Sequence, residues 1–336
     1  MIAVMPDDTQ NQLRLALLNC ENLFVFMDLW SGEDVQQMNE KEWQRLSAGT
    51  VPNKSLRKLK WLAQTFEEMN PDIILLNEVG GIDSLANFAR HFLRDQYNCH
   101  LIEGNSDRGI DIGYLTRKTL PFKFDLISHR RRPINFLYPH EVGSNLKSHY
   151  FSRDALELRV FPGGAQRPGI VFLLVHLKSQ LDPQGFDPGG KARRAAELRT
   201  LVEIYNEVRR ELPGTPVVVA GDFNGVAGKS AMEPEFQPIY DETDLVETFD
   251  LIAKPLTETA TRVNFKAGAP PRLIKIDHVF LSPELHDKVA ADQSEIFLYR
   301  SDLKVKMPYA ATVEQRTALP SDHYPILVVL TCPCLF

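Results

Sequence analysis

The stretch VVVAGDFNGVAG, Val217 to Gly228, decides how this chain is read. Val217–Ala220 is short, apolar and mostly β-branched, as a buried strand is. It runs into Asp222 and Asn224, set among Gly221, Gly225 and Gly228. Asp and Asn after a strand are ordinary turn chemistry. They are equally what a reaction site mounted on the end of a strand requires, and this stretch alone does not decide between the two.

Five other segments repeat the arrangement, each an apolar strand with polar or titratable residues at one end. They are LLNCEN (Asn19, Glu21), IILLNEV (Glu78), FLLVHLKS (His176, Lys178), LIKIDHVFLS (Asp277, His278) and LPSDHYPILVVL (Asp322, His323). Strands side by side would gather these carboxylates, asparagines and histidines on one rim. Oxygen donors without cysteine suit a hard cation, Mg²⁺ or Mn²⁺. Carboxylates, imidazoles and such a cation together suit hydrolysis at phosphorus: the cation polarises the phosphoryl oxygen, and a carboxylate or imidazole orients or deprotonates water.

Between these segments the pattern alternates strands with few helices. Leu56, Leu59, Leu62, Phe66 and Met69 recur at helical spacing until Asn70-Pro71, and further helices are expected over 82–93 and 191–210. Strands are expected at 14–19, 72–79, 97–103, 111–116, 122–128, 154–161, 169–177, 216–220, 273–281 and 325–330. Residues 28–53 are polar and show no period. Strand pairs without a helix between them argue against a purely parallel sheet. The expectation is one domain over 1–336, core about 12–331, an α/β (α+β) sandwich of two packed mixed sheets with helices outside.

The chain has 336 residues, 43% hydrophobic and 24% charged, with net charge −6, which excludes a surface basic all over and leaves local basic grooves open. Cys20, Cys99, Cys332 and Cys334 form neither a disulfide framework nor a zinc ribbon, and Cys332-Pro333-Cys334 reads as a frayed tail. The N-terminus is a poor signal peptide and no apolar run is long enough to span a membrane, so a cytoplasmic protein is expected.

The ordered series N-x-E, NE, HLKS, GDFN, IDHVFLS and SDH resembles the endonuclease/exonuclease/phosphatase superfamily, of DNase I-like fold, from Asn19 to His323. The resemblance implies a metal site of Asn19, Glu21, Glu78 and Asp322, taking Mg²⁺ or Mn²⁺. It implies Asp222 as the acid that orients or deprotonates water, and Asn224 and His176 as phosphate contacts. Asp277 pairs with His323, which acts as base or phosphate stabiliser. Gly221 and Gly225 are then expected to permit close approach of backbone to phosphate. His278, on the opposite strand face from Asp277, reads as structural. Lys178, Arg108 and Arg153 are further candidates for phosphate contact, each with a plain surface or supporting role as the alternative.

The superfamily cuts many phosphate esters, so fold does not settle substrate. The basic runs HRRRP (129–133) and NKSLRKLK (53–60) support a polyanion, or are solvated loop and helix face. Few aromatic residues interleave them, which argues against a single-strand stacking platform. A metal-dependent phosphodiesterase acting on nucleic acid leads. A phosphatase or phosphodiesterase for small, inositol or lipid phosphates is the alternative, and a non-catalytic binding module comes third. No protein partner is indicated.

Overall fold

The computed structural model describes residues 11–332 and Leu335. Along the chain the strands are β1 (Gln12–Leu23), β2 (Ile73–Val79), β3 (Tyr97–His100), β4 (Asp111–Arg117), β5 (Phe122–Ser128), β6 (Ala155–Pro162), β7 (Ile170–His176), β8 (Val217–Asp222), β9 (Val246–Glu247), β10 (Arg262–Asn264), β11 (Arg272–Ile274), β12 (Asp277–Leu281), β13 (Glu295–Ile296) and β14 (Ile326–Thr331). The first four α-helices are α1 (Glu40–Gln44), α2 (Leu56–Met69), α3 (Gly81–His91) and α4 (Lys191–Glu211).

Two six-stranded sheets form, in the orders β13-β14-β1-β2-β4-β3 and β5-β6-β7-β8-β12-β9, and β10-β11 makes a separate hairpin. Each sheet is antiparallel except for one central parallel pair, β1 with β2 and β7 with β8. Both sheets are therefore mixed, as expected. They pack face to face through Leu15, Leu17, Leu75 and Tyr114 on one side and Leu158, Phe172, Leu174 and Val218 on the other. The first sheet's outer face packs on α2 and α3, the second's on α4.

The apolar stripe of α2 explains its burial: Leu56, Leu59, Leu62, Phe66 and Met69 all face the sheet. Burying each contributes roughly 1.5–3 kcal/mol. Ser55 caps the start and left-handed Asn70 closes the end before Pro71.

Several expectations change. The polar 28–53 segment contains α1, whose Asn39/Glu42 capping box starts a turn that buries Trp43. Its indole Nε1 donates to Lys54 O at 2.9 Å. The single strand expected over 273–281 is two, because β11 belongs to the hairpin and β12 to the second sheet. Cys332 is not frayed but packs into the inter-sheet core. Cys334 lies outside the described residues.

Gly221 also has a different reason from the one expected. Its φ is +146°, and a Cβ there would lie 1.9 Å from Val175 O. The glycine lets β7 and β8 approach one another. At Gly225 a Cβ would strike the Phe236 ring at 2.5 Å. Both glycines are required by protein packing. No helix among the described residues is long and apolar enough to cross a membrane.

Candidate functional site

Strand register assembles the site. His176 pairs with Asp222 across β7 and β8, and Asp222 pairs with Asp277 across β8 and β12. One row across three strands thus carries imidazole, carboxylate, carboxylate. In the first sheet Asn19 pairs with Asn77 across β1 and β2.

Both of those strands then break register, β1 between Asn19 and Leu23 and β2 between Asn77 and Val79. Glu21, Asn22 and Glu78 take left-handed backbone, with φ of 49°, 60° and 60°. Such bulges re-aim side chains at a strand end. They bring half-buried Glu78 inward, where Oε1 accepts from Asn19 Nδ2 at 3.3 Å and Oε2 from Asn22 N–H at 3.0 Å. The same Asn19 amide donates to Asp222 Oδ2 at 2.9 Å. Asn19 therefore joins a carboxylate of one sheet to a carboxylate of the other.

Asn77, which the sequence reading passed over, is the second join. Its Nδ2 donates to Val175 O at 2.9 Å, and its Oδ1 accepts from Asp222 N–H at 3.1 Å.

The bulge turns Glu21 away from this group. Its carboxylate meets Lys58 Nζ at 2.7 Å and Lys54 Nζ at 3.7 Å. Asp322 meets Arg262 Nη2 at 2.5 Å and lies 3.8 Å from His323 Nε2. Of the four expected metal residues, only Asn19 and Glu78 meet side chain to side chain; Glu21 reaches Asn19 through its backbone N–H, which donates to Asn19 Oδ1 at 3.0 Å.

His323 Nδ1 lies 2.7 Å from Asp277 Oδ2 in a buried pair. Burial pulls the imidazolium down. Asp277, by charge and hydrogen bond, more than reverses this, with Asp322 and Asp222 adding, and the pKa rises to about 10. His176 goes the other way: burial, then the charges of Arg153, His323 and Arg108, hold it well below 6.5. It stays neutral, its Nε2 3.7 Å from Asp222 Oδ2 and its Nδ1 without a hydrogen bond. Asp222 is pushed up by burial and by Asp277. Burial raises Asp322 too, but His323 and Arg262 more than offset it and leave it below its ordinary value.

Asn224 takes φ of 53° and folds its backbone N–H onto Asp222 Oδ1 at 2.8 Å, while Nδ2 donates to Leu177 O at 3.0 Å. The amide's second N–H remains for a ligand. Arg153 is buried, its Nε has no hydrogen bond, and its charge acts on Glu197, Glu78 and Asp222. Arg108 Nη2 donates to Asn22 Oδ1 at 2.8 Å on the rim. Lys178 is turned aside, with Nζ donating to Ser179 O and Leu181 O. His278 sits on the far face, its Nε2 3.2 Å from Ala227 N, wedged by Phe223 and Phe280. Much of the basic runs is engaged internally, Arg132 by Glu203 and Glu207, Lys54 and Lys58 by Glu21 and Arg57 by Ala318 O, while Arg131 is exposed.

Asp222, Asp277 and His323 bring potential ligand atoms within 4.8 Å of one another. A His323 imidazolium has no lone pair for a cation. The carboxylate oxygens of Glu78 and Asp222 are hard donors of the kind that fit Mg²⁺ or Mn²⁺, while Asn19 turns its Nδ2 to both and its Oδ1 to Glu21 N–H.

The sequence pattern of the Endonuclease/Exonuclease/phosphatase family matches residues 52–323. No curated protein matches. Three solved structures share the fold. TDP2 from C. elegans is 16% identical with a TM-score of 0.56, over 96% of this chain and 75% of that one. The human Nocturnin catalytic domain with bound sulfate is 13% identical with a TM-score of 0.56, over 97% and 98%. D. rerio TDP2 complexed with single strand DNA product is 15% identical with a TM-score of 0.54, over 95% and 98%. At these identities the likeness is one of fold, two mixed sheets flanked by helices.

Proposed function

Because the chain belongs to the endonuclease/exonuclease/phosphatase family, whose pattern spans most of it, we propose that it is a divalent-metal-dependent phosphodiesterase acting on nucleic acid. The observation that carries this is the row His176–Asp222–Asp277–His323, joined by Asn19 to Glu78, with neighbouring groups held in opposite protonation states.

The roles follow from those states. Asp222, with its pKa lifted toward neutrality, takes the proton of a water that attacks phosphorus. The water oxygen–phosphorus bond forms as the bond to the leaving oxygen breaks. His323, kept as imidazolium by Asp277, donates Nε2–H to a phosphoryl oxygen as charge builds there. Neutral His176, Asn224 and the guanidinium of Arg153 supply further donors, and Arg153 balances the negative substrate in a buried place. Glu78, oriented by Asn19, would hold the cation, which when bound would polarise the phosphoryl oxygen and stabilise the leaving one. Arg262 neutralises Asp322, so that Asp322 serves the electrostatics of His323 rather than a cation.

The test is hydrolysis of bis-p-nitrophenyl phosphate and of DNA and RNA by purified protein with Mg²⁺ or Mn²⁺. Turnover abolished by EDTA and restored by the cation is expected. Turnover unaffected by EDTA, or none with any cation on any of these substrates, refutes the reading.

A further inference from the structure

Two loops leave the catalytic edge of the second sheet side by side, residues 129–154 before β6 and 177–190 after β7. Glu197 of α4 ties their roots. Its Oε1 accepts from Ser152 N–H at 2.8 Å and from the Ser152 hydroxyl at 2.6 Å, and its Oε2 accepts from Lys178 N–H at 2.6 Å. Ser152 adjoins Arg153, and Lys178 lies two residues beyond His176, so the roots stand at the phosphate-facing groups.

Farther out the loops meet again through rings. His140 and Phe186 have centroids 4.1 Å apart. Tyr138 continues the row at 5.8 Å from His140, nearly parallel at 10°. Phe136 and His149 brace Tyr138 edge-on at 4.9 and 5.2 Å. The row is open to solvent, Phe186 being 46% exposed. Five of the thirteen exposed large apolar side chains among the described residues (Val142, Leu146, Tyr150, Leu181 and Phe186) lie on these two loops. That concentration marks a contact surface.

We propose that the Tyr138–His140–Phe186 row is a stacking shelf for the base of an unpaired nucleotide next to the phosphate being cut. This rests on the nuclease reading above and narrows it to single-stranded segments or frayed ends. Flat rings suit bases because every base presents a π-face, and a duplex keeps its bases turned inward. The local charge agrees. Three of the loops' acids are engaged internally, Asp182 and Asp187 by backbone N–H groups of residues 186, 187, 192 and 193, and Glu141 by His149 and Tyr138 N–H, and the fourth, Asp154, is buried at the root on the Ser128 hydroxyl. His140 and Lys147 remain exposed. The sequence reading looked for rings beside the basic runs, whereas the proposed shelf draws its rings from two other stretches of loop.

Anisotropy of a short fluorescein-labelled oligothymidylate, in EDTA so that nothing is cut, tests the shelf directly. Phe186→Ala is expected to weaken binding at least about fivefold, the low end for loss of one stacked base. Phe186→Trp should restore it, and Leu303→Ala, exposed elsewhere, should change nothing. Equal affinity of wild type and Phe186→Ala, or preference for blunt duplex over single strand, overturns the proposal. So does Phe186-dependent binding to phosphatidylcholine–phosphatidylserine vesicles without oligonucleotide binding. Turnover of bis-p-nitrophenyl phosphate by the wild type reports separately on the catalytic reading, since that substrate carries no base.

Discussion

Replacing Asp277 by Asn isolates the charge that keeps His323 an imidazolium. The wild-type value near about 10, against an ordinary 6.5, corresponds to on the order of 5 kcal/mol of preference for the charged ring. Asn preserves shape and removes the largest opposing charge, while burial remains. The His323 pKa should therefore fall well below its wild-type value, leaving only Asp322 and Asp222 to oppose burial, and the ring should lose its charge at a lower pH. NMR titration of the histidine side chains reads this directly. Stability carries the same information. A folded-state pKa raised above the unfolded one contributes stability that is present in full below 6.5 and lost as pH rises through about 10. Urea unfolding of the wild type should thus weaken between about pH 7 and pH 10, and Asp277→Asn should lose that slope. Turnover at neutral pH should drop by at least about 100-fold if the imidazolium is a phosphoryl donor. A His323 still charged at pH 8 in the variant would refute the electrostatic argument. An unchanged rate with a neutral His323 would refute its role as donor.

Asp222→Asn should cost at least about 100-fold in kcat with the fold intact by circular dichroism, and should remove any acidic limb of the pH–rate profile. Gly221→Ala should lower the thermal midpoint sharply or prevent soluble expression, because its methyl meets Val175 O in a backbone that cannot yield; Gly49→Ala, with nothing closer than 3.8 Å, should leave the midpoint near wild type. Arg262→Gln leaves Asp322 beside His323 without its guanidinium, so the His323 pKa read by NMR should rise further while cation affinity by calorimetry stays near wild type; a large gain in cation affinity would show that Asp322 faces the cation after all. Asn77→Ala, which orphans buried Val175 O and Asp222 N–H, should destabilise by about 1–3 kcal/mol in urea.

The residues at strand ends were legible because an apolar run followed by Asp, Asn or His is a local signal. HLKS, GDFN and IDH each announced a strand, and register did the rest by setting His176, Asp222 and Asp277 in one row. What sequence did not carry was the break in register. An N-x-E spacing in an extended strand puts Asn19 and Glu21 on one face. The left-handed residues at 21 and 22 undo that, and Glu21 goes to the lysines. Arg262 was missed for a related reason: β10 has three residues, too few for any period. Asn77 lay inside a quoted motif, but its role depends on the opposite sheet, which no local pattern describes. α1 escaped because a five-residue helix buries only Trp43.

Asn77 also sets a limit on how this protein can fail. The proposed reacting groups are divided between the two sheets, and the interface between the sheets is apolar and directionless along its plane. Apolar packing resists separation far better than it resists sliding. A slip of about one ångström would leave every ladder hydrogen bond intact and still part Asn19 from Asp222. The amide of Asn77, seated in the backbone of β7 and β8, works as a dowel between two plates, fixing their alignment where the core fixes only their distance. On the proposed reading, loss of activity and loss of fold would be separate events, and the first would be reached by loosening one side chain.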